Sequence, residues 1–278
     1  FGQNMAGVTQ LRVRGEAGTR LRLIHAERLR EDGHADLSNI DVYFRPTDPE
    51  DLFQTDVVTL SGRDDEFMAR FNYKGFRYVE VVADRPMELS AANLTAWFQH
   101  SDVAPAGKIR SSERLIEQLW EAANKSYLSN LMGYPTDCPQ REKNGWTADA
   151  ALSSEHILLN LGAEKSYREW LRAIVKAQDN NGALPGIVPT SGWGFAWGNG
   201  PAWDSVLIEL PYRLCQYRGD LDSAKLCAPA IIKYLHYLTT RMDEHDLLAI
   251  GLGDWCPPGR EAHEYKSPLA FTDTVLSK

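Results

Sequence analysis

Ala104-Pro105-Ala106-Gly107 divides the sequence into two parts with different periodicities. A short run of this composition suits a linker between folded parts. After it, Leu115, Ile116, Leu119, Trp120 and Ala123 recur at helical spacing, with Ser111 or Ser112 placed to cap the helix start. Further helical patterns run from Thr147 to Leu161, Glu164 to Gln178, Trp203 to Tyr217 and Ser223 to Thr239. Before the linker, Leu11 and Val13 alternate with Arg12 and Arg14, and Leu21 and Leu23 with Arg20 and Arg22. Period two with one polar face marks antiparallel strands that are wet on one side. Gly15 to Gly18 reads as a hairpin-like connection between them. Val57 to Leu60, the set Phe67, Ala69, Phe71, Tyr73, and the segment Phe76 to Val81 continue the strand pattern. Arg28 to Asn39 is polar and reads as a surface loop. The expected fold class is multidomain, β then α: an antiparallel β-sandwich over 1–103, then a helical domain over 104–278.

Composition narrows the function. The chain has 278 residues and a net charge of -8, with no Lys/Arg stripe, so a nucleic-acid partner is not expected. No apolar run approaches membrane-spanning length. Cys138, Cys215, Cys227 and Cys256 form no C-x-x-C pair and have no His at metal-finger spacing, so neither a metal nor a cofactor is expected and the cysteines read as buried thiols. His156 and His236 read as packed side chains, and Phe67, Phe71, Tyr73, Phe76 and Tyr78 as sandwich core. The chain opens on Phe1, without an initiator Met and in mid-pattern, so upstream sequence is expected to have been removed. The compartment is not fixed; a periplasmic or extracellular setting is favoured over the cytoplasm.

Asp137-Cys138-Pro139-Gln140-Arg141-Glu142-Lys143-Asn144-Gly145-Trp146-Thr147-Ala148-Asp149-Ala150 packs three carboxylates, a guanidinium and an indole into one segment. Cys-Pro and Asn-Gly mark a turning loop, and Thr147 opens a helix. Carboxylates and Arg grip hydroxyls, an indole covers the apolar side of a sugar ring, and a carboxylic acid can protonate a glycosidic oxygen. A salt-bridged loop steadying a helix start would use similar residues. A second loop, Pro189 to Asp204, carries Trp193, Trp197 and Trp203 among glycines, and a third, Gly251 to Gly259, carries Asp254 and Trp255. Long structured loops rich in aromatic residues are usually functional. A small satellite core is the competing reading.

The order Asp-Cys-Pro-Gln-Arg-Glu-Lys-x-Gly-Trp-Thr-x-Asp-Ala, then Gly-Asn-Gly-Pro-Ala-Trp, then Gly-Asp-Trp, resembles the bacterial α-L-rhamnosidases of glycoside hydrolase family seventy-eight. Phe1-Gly2-Gln3-Asn4 and Phe71 to Val79 resemble the sandwich that precedes the catalytic domain there. The resemblance spans essentially the whole chain. It implies an (α/α)6 barrel and hydrolysis of terminal α-L-rhamnose with inversion. It places the general acid at Glu142 and sugar-binding roles at Asp137, Arg141, Trp146, Asp149, Trp203, Asp254 and Trp255. Some members read Arg-Asp-Glu where this chain reads Arg-Glu-Lys, which moves the acid by one place. The partner implied is a rhamnose-containing oligosaccharide, polysaccharide or glycoside; a homodimer is compatible with the sequence.

Such a barrel needs about twelve helices of roughly 11–12 residues each. Only about half of these fit after Gly107, so the chain is expected to be the sandwich plus the N-terminal half of the barrel. The family's general base would then lie beyond Lys278, and activity of this piece alone is doubtful. The alternative is a non-catalytic carbohydrate-binding homologue, which would keep the indoles and aspartates but need no proton donor. A plain helical domain with a sandwich cap would scatter these residues instead of gathering them. The acidic cluster speaks against a polysaccharide lyase.

Overall fold

A computed structural model describes residues 1–41, 52–190, 192–195, 200–252 and the strand 275–277. The chain divides into two compact units. One comprises Phe1–Ser101, Lys125–Met132 and Cys138–Lys143; the other comprises Asp102–Asn124, Gly133–Asp137 and Asn144–Lys278.

The first unit is built on β1 (Met5–Arg14), β2 (Arg20–Ala26), β3 (Arg28–Leu29), β4 (Ala35–Asp36), the short helix α1 (Ser38–Asp41), β5 (Thr55–Thr59), β6 (Asp64–Met68), β7 (Lys74–Phe76), β8 (Tyr78–Ala83) and β9 (Leu94–Phe98). β1 pairs antiparallel with β6, β7 and β9, and β2 pairs antiparallel with β5 and β8 in a second sheet. Between the sheets Leu11, Val13, Leu21, Leu23, Val58 and Leu60 form the core, with Phe67, Val79, Val81 and Leu94 packed against it. The alternation of β1 and β2 is what fills this layer, because side chains two apart share a face.

The link at Gly15 to Gly18 is not a hairpin. β1 and β2 lie in different sheets, and the link crosses between them. Both strands send leucines into one shared core, so pairing them edge to edge would have left that core without a second wall. At Gly15 a Cβ would stand 2.6 Å from Leu60 Cδ1, so a larger residue there would displace the Leu60 side chain. Phe71 is also not core. β6 ends at Met68, and the Phe71 side chain is fully exposed. Phe76 is fully buried, and Phe67 packs on the core. The polar segment after β2 holds the β3–β4 pairing and α1.

A buried polar cluster also belongs to this unit. His25 is fully buried, with Thr9 Oγ1 3.0 Å from its Nε2 and the Gln54 carbonyl 3.1 Å from its Nδ1. Burial lowers its pKa to about 4, against the pull of Asp56. Lys74 Nζ donates to Asp56 Oδ1 at 2.8 Å.

α2 (Arg114–Ser129) has its ends in different units. Its stripe at Leu115, Ile116 and Leu119 is exposed among the described residues. In the second unit, α3 (Thr147–Asn160), α4 (Glu164–Ala177), α5 (Pro201–Asp204), α6 (Val206–Arg218) and α7 (Leu221–Thr239) follow. α6 packs on α3, α4 and α7, burying Ile157, Leu171, Ile174, Leu207, Leu210 and Leu214. Gly219, left-handed at φ 64°, ends α6, and Asp220 caps α7 by accepting the Ser223 amide at 3.0 Å. Strand Leu247–Ala249 pairs antiparallel with Val275–Ser277. No helix among the described residues is long and apolar enough to cross a membrane.

Candidate active site

The acidic segment is shared between the units. Asp137 and Asn144 close the base of a loop: the Asp137 amide donates to the Asn144 carbonyl at 3.0 Å, and the Asn144 amide donates to Asp137 Oδ1 at 2.8 Å. The residues from Cys138 to Lys143, which include Arg141 and Glu142, belong to the sandwich unit. There the Gln140 amide group donates to Glu27 Oε2 at 3.0 Å, and the Glu142 backbone N–H donates to Cys138 Sγ at 3.2 Å. The Glu142 side chain is exposed and that of Arg141 half-buried.

Asp137, Trp146, Asp149 and Trp203 lie in the helical unit. Gly145 to Thr147 is strapped to Gly186 to Val188: the Val188 amide donates to the Gly145 carbonyl at 2.9 Å, and Thr147 Oγ1 donates to the Gly186 carbonyl at 3.0 Å. A Cβ at Gly145 would lie 2.1 Å from the Val188 carbonyl oxygen, so only glycine permits this approach. The strap sets Trp146 at the mouth of the tryptophan loop. Its ring centre is 6.3 Å from Trp193 and 6.4 Å from Trp203, and the Trp203 ring meets it edge-on at 73°. Asp149 lies exposed on the first turn of α3. Asp254 and Trp255 fall outside the described residues, as does Cys256; Cys215 and Cys227 are free thiols.

Trp193 joins this wall, and two buried polar residues of the same unit, Asp204 and Tyr234, lie together; the sequence singled out none of the three. Trp193 stood in the quoted loop without a role. Asp204 follows Trp203 directly and is fully buried. Its Oδ2 accepts the Gly200 amide at 2.8 Å, while Oδ1 has no hydrogen-bond partner among the described residues. Burial pushes the Asp204 carboxyl up to about 8, opposed by the Gly200 bond and by the phenol of Tyr234. Tyr234 stands beside Asp204 without closing a hydrogen bond, and burial together with Asp204 raises its phenol. No sequence signal marks Tyr234, which comes from the middle of α7. His156 is half-buried on α3, its pKa lowered by burial, and its Nε2 has no hydrogen-bond partner among the described residues.

An indole wall whose Trp146 belongs to the sequence segment that carries Asp137, Glu142 and Asp149 is what a sugar-processing family would supply. Residues 104–276 match the bacterial alpha-L-rhamnosidase 6 hairpin glycosidase domain, and residues 1–100 match the bacterial alpha-L-rhamnosidase concanavalin-like domain. The chain belongs to the bacterial α-L-rhamnosidases.

Among its relatives, an alpha-L-rhamnosidase of Streptomyces avermitilis is 31% identical over 258 residues, covering 92% of this chain and 24% of that protein. The structure of the alpha-L-rhamnosidase from Dictyoglumus thermophilum superposes with a TM-score of 0.83 at 33% identity, covering 94% of this chain and 28% of the other. The crystal structure of the Streptomyces avermitilis alpha-L-rhamnosidase complexed with L-rhamnose gives 0.81 at 30% identity, covering 91% and 24%. The fold is thus the concanavalin-like β domain followed by helices of a six-hairpin glycosidase domain. This chain spans 24% and 23% of the length of the first two rhamnosidase relatives it matches.

Proposed function

We propose that the protein containing this chain removes terminal non-reducing α-L-rhamnose from a rhamnose-containing glycoside, with inversion at the anomeric carbon. The observation that carries this reading is the wall of Trp146, Trp193 and Trp203, in which Trp203 meets Trp146 edge-on and Trp193 lies tilted against it, with Trp146 and Trp203 in the family's motif segments. The methyl-bearing, apolar face of a deoxy-sugar fits such a wall, while Asp137, Asp149 and Arg141 hold its hydroxyls. Asp254 and Trp255 are assigned to sugar binding on the family motif alone. Glu142 gives its proton to the leaving oxygen. A second carboxylate takes a proton from water on the opposite face, about 6.5–9.5 Å away.

The test is the anomer first released. With the complete protein and an α-L-rhamnoside, proton NMR should show β-L-rhamnose appearing before mutarotation. Release of the α anomer would exclude inversion, and no hydrolysis at all, with rhamnose still bound, would favour a non-catalytic sugar-binding protein.

A further inference from the structure

A carboxyl that delivers a proton must be held to within a fraction of an ångström by its surroundings. The Glu142 side chain is exposed, but the loop that carries it is pinned to the sandwich. Pro139 and Gln140 rest on Gly75 of β7, where a Cβ would stand 2.8 Å from Gln140 Cβ and 3.0 Å from Pro139 Cγ. The tightest attachment is at Lys143, next to Glu142. Its ammonium donates to the Tyr73 carbonyl at 2.6 Å and to Asn72 Oδ1 at 3.1 Å. It also lies 4.4 Å from the centre of the Tyr73 ring. Its backbone is left-handed, φ 55°, a conformation that a long side chain rarely adopts and that needs external support.

We propose that Lys143 is a positioning residue for the general acid: its ammonium clamps the turn after Glu142 onto the Asn72–Tyr73 turn of the sandwich, so that the β domain fixes where the acid carboxyl sits. This rests on the reading of Glu142 as the acid. The state of the ammonium agrees with a clamp. Burial, with repulsion from Lys74, brings it down to about 8, against the pull of Cys138 and Asp56. An ammonium reaching freely into water would suffer no such desolvation. The groups that face Lys143 are therefore Lys74, Asp56, Cys138 and the Tyr73 ring.

The test uses the complete protein and two rhamnosides, one with an alkanol and one with a nitrophenol leaving group. Lys143→Asn keeps a left-handed backbone, which Asn tolerates, and deletes the ammonium. Its kcat on the alkanol rhamnoside should fall about 10–100-fold, the range expected for a displaced catalytic group. The nitrophenyl rhamnoside, which needs little protonation, should change less than about twofold, with KM and rhamnose affinity kept. Asn72→Ala, at an exposed position, should show the same selectivity at about 2–5-fold, and it decides the matter if Lys143→Asn does not fold. Equal losses on both substrates, or no loss in either variant, overturn the clamp. Glu142→Gln is run beside them. If it cripples the alkanol reaction while the Lys143 and Asn72 variants match wild type, the clamp alone fails. If Glu142→Gln is fully active, the acid assignment itself fails.

Discussion

Asp204 is a fully buried acid to which the helical unit offers one backbone hydrogen bond, from Gly200. Its carboxyl is held up at about 8, so it stays protonated in the folded state at neutral pH. The unfolded chain would release that proton near the ordinary value of 3.8. Between these values the folded state binds more protons, so stability is largest at low pH and falls as pH rises through this window. The loss amounts to a few kcal/mol in order of magnitude, at about 1.4 kcal/mol per pH unit of full linkage. Asp204→Asn keeps an acceptor for the Gly200 amide and does not titrate. Its melting temperature, measured by calorimetry at pH 5 and pH 8, should gain on wild type between the two. A constant difference would mean that Asp204 is ionised in the folded protein. This carboxyl illustrates what a sequence conceals: an Asp after a Trp in a glycine loop looks solvated until Gly200 and Tyr234 are known to enclose it. Glu142, Asp137 and Asp149 were singled out for another reason, because their order and spacing match the family's motif, and their roles at the sugar are part of our proposal.

At the scale of elements, period carried most of what could be read. Leu11, Val13, Leu21 and Leu23 disclose strands, because alternation follows from the pleat itself. Alternation does not reveal which strands pair, so the crossing at Gly15 to Gly18 resembled a turn until β1 and β2 were found in separate sheets. Phe71 misled in the same way, its spacing continuing a strand that had already ended at Met68. The tryptophan loop was legible as unusual, but its geometry depends on the Gly145–Val188 strap, a contact far apart in sequence. That strap puts Trp193 against Trp146, so Trp193 should contribute to the sugar wall. Trp193→Ala should weaken rhamnose binding roughly tenfold in isothermal titration, about the worth of one aromatic contact. Unchanged affinity would place Trp193 outside the pocket.

On the scale of the whole molecule, both parts of this chain match domains of the bacterial α-L-rhamnosidases. The family match assigns the sandwich and the helices to a single hydrolase architecture, and this chain spans 24% of its Streptomyces avermitilis relative. Inverting hydrolysis needs two carboxylates on opposite faces of the sugar, and Glu142 is the donor that we propose. In our reading, the β domain holds the donor loop and the helical unit supplies the indoles.

The central claim is therefore a proton carried by one residue, and the direct measurement is kcat of Glu142→Gln in the complete protein on a natural rhamnoside with a poor leaving group. The account predicts a fall of about 10²–10⁴-fold with rhamnose affinity retained. Turnover equal to wild type would contradict it.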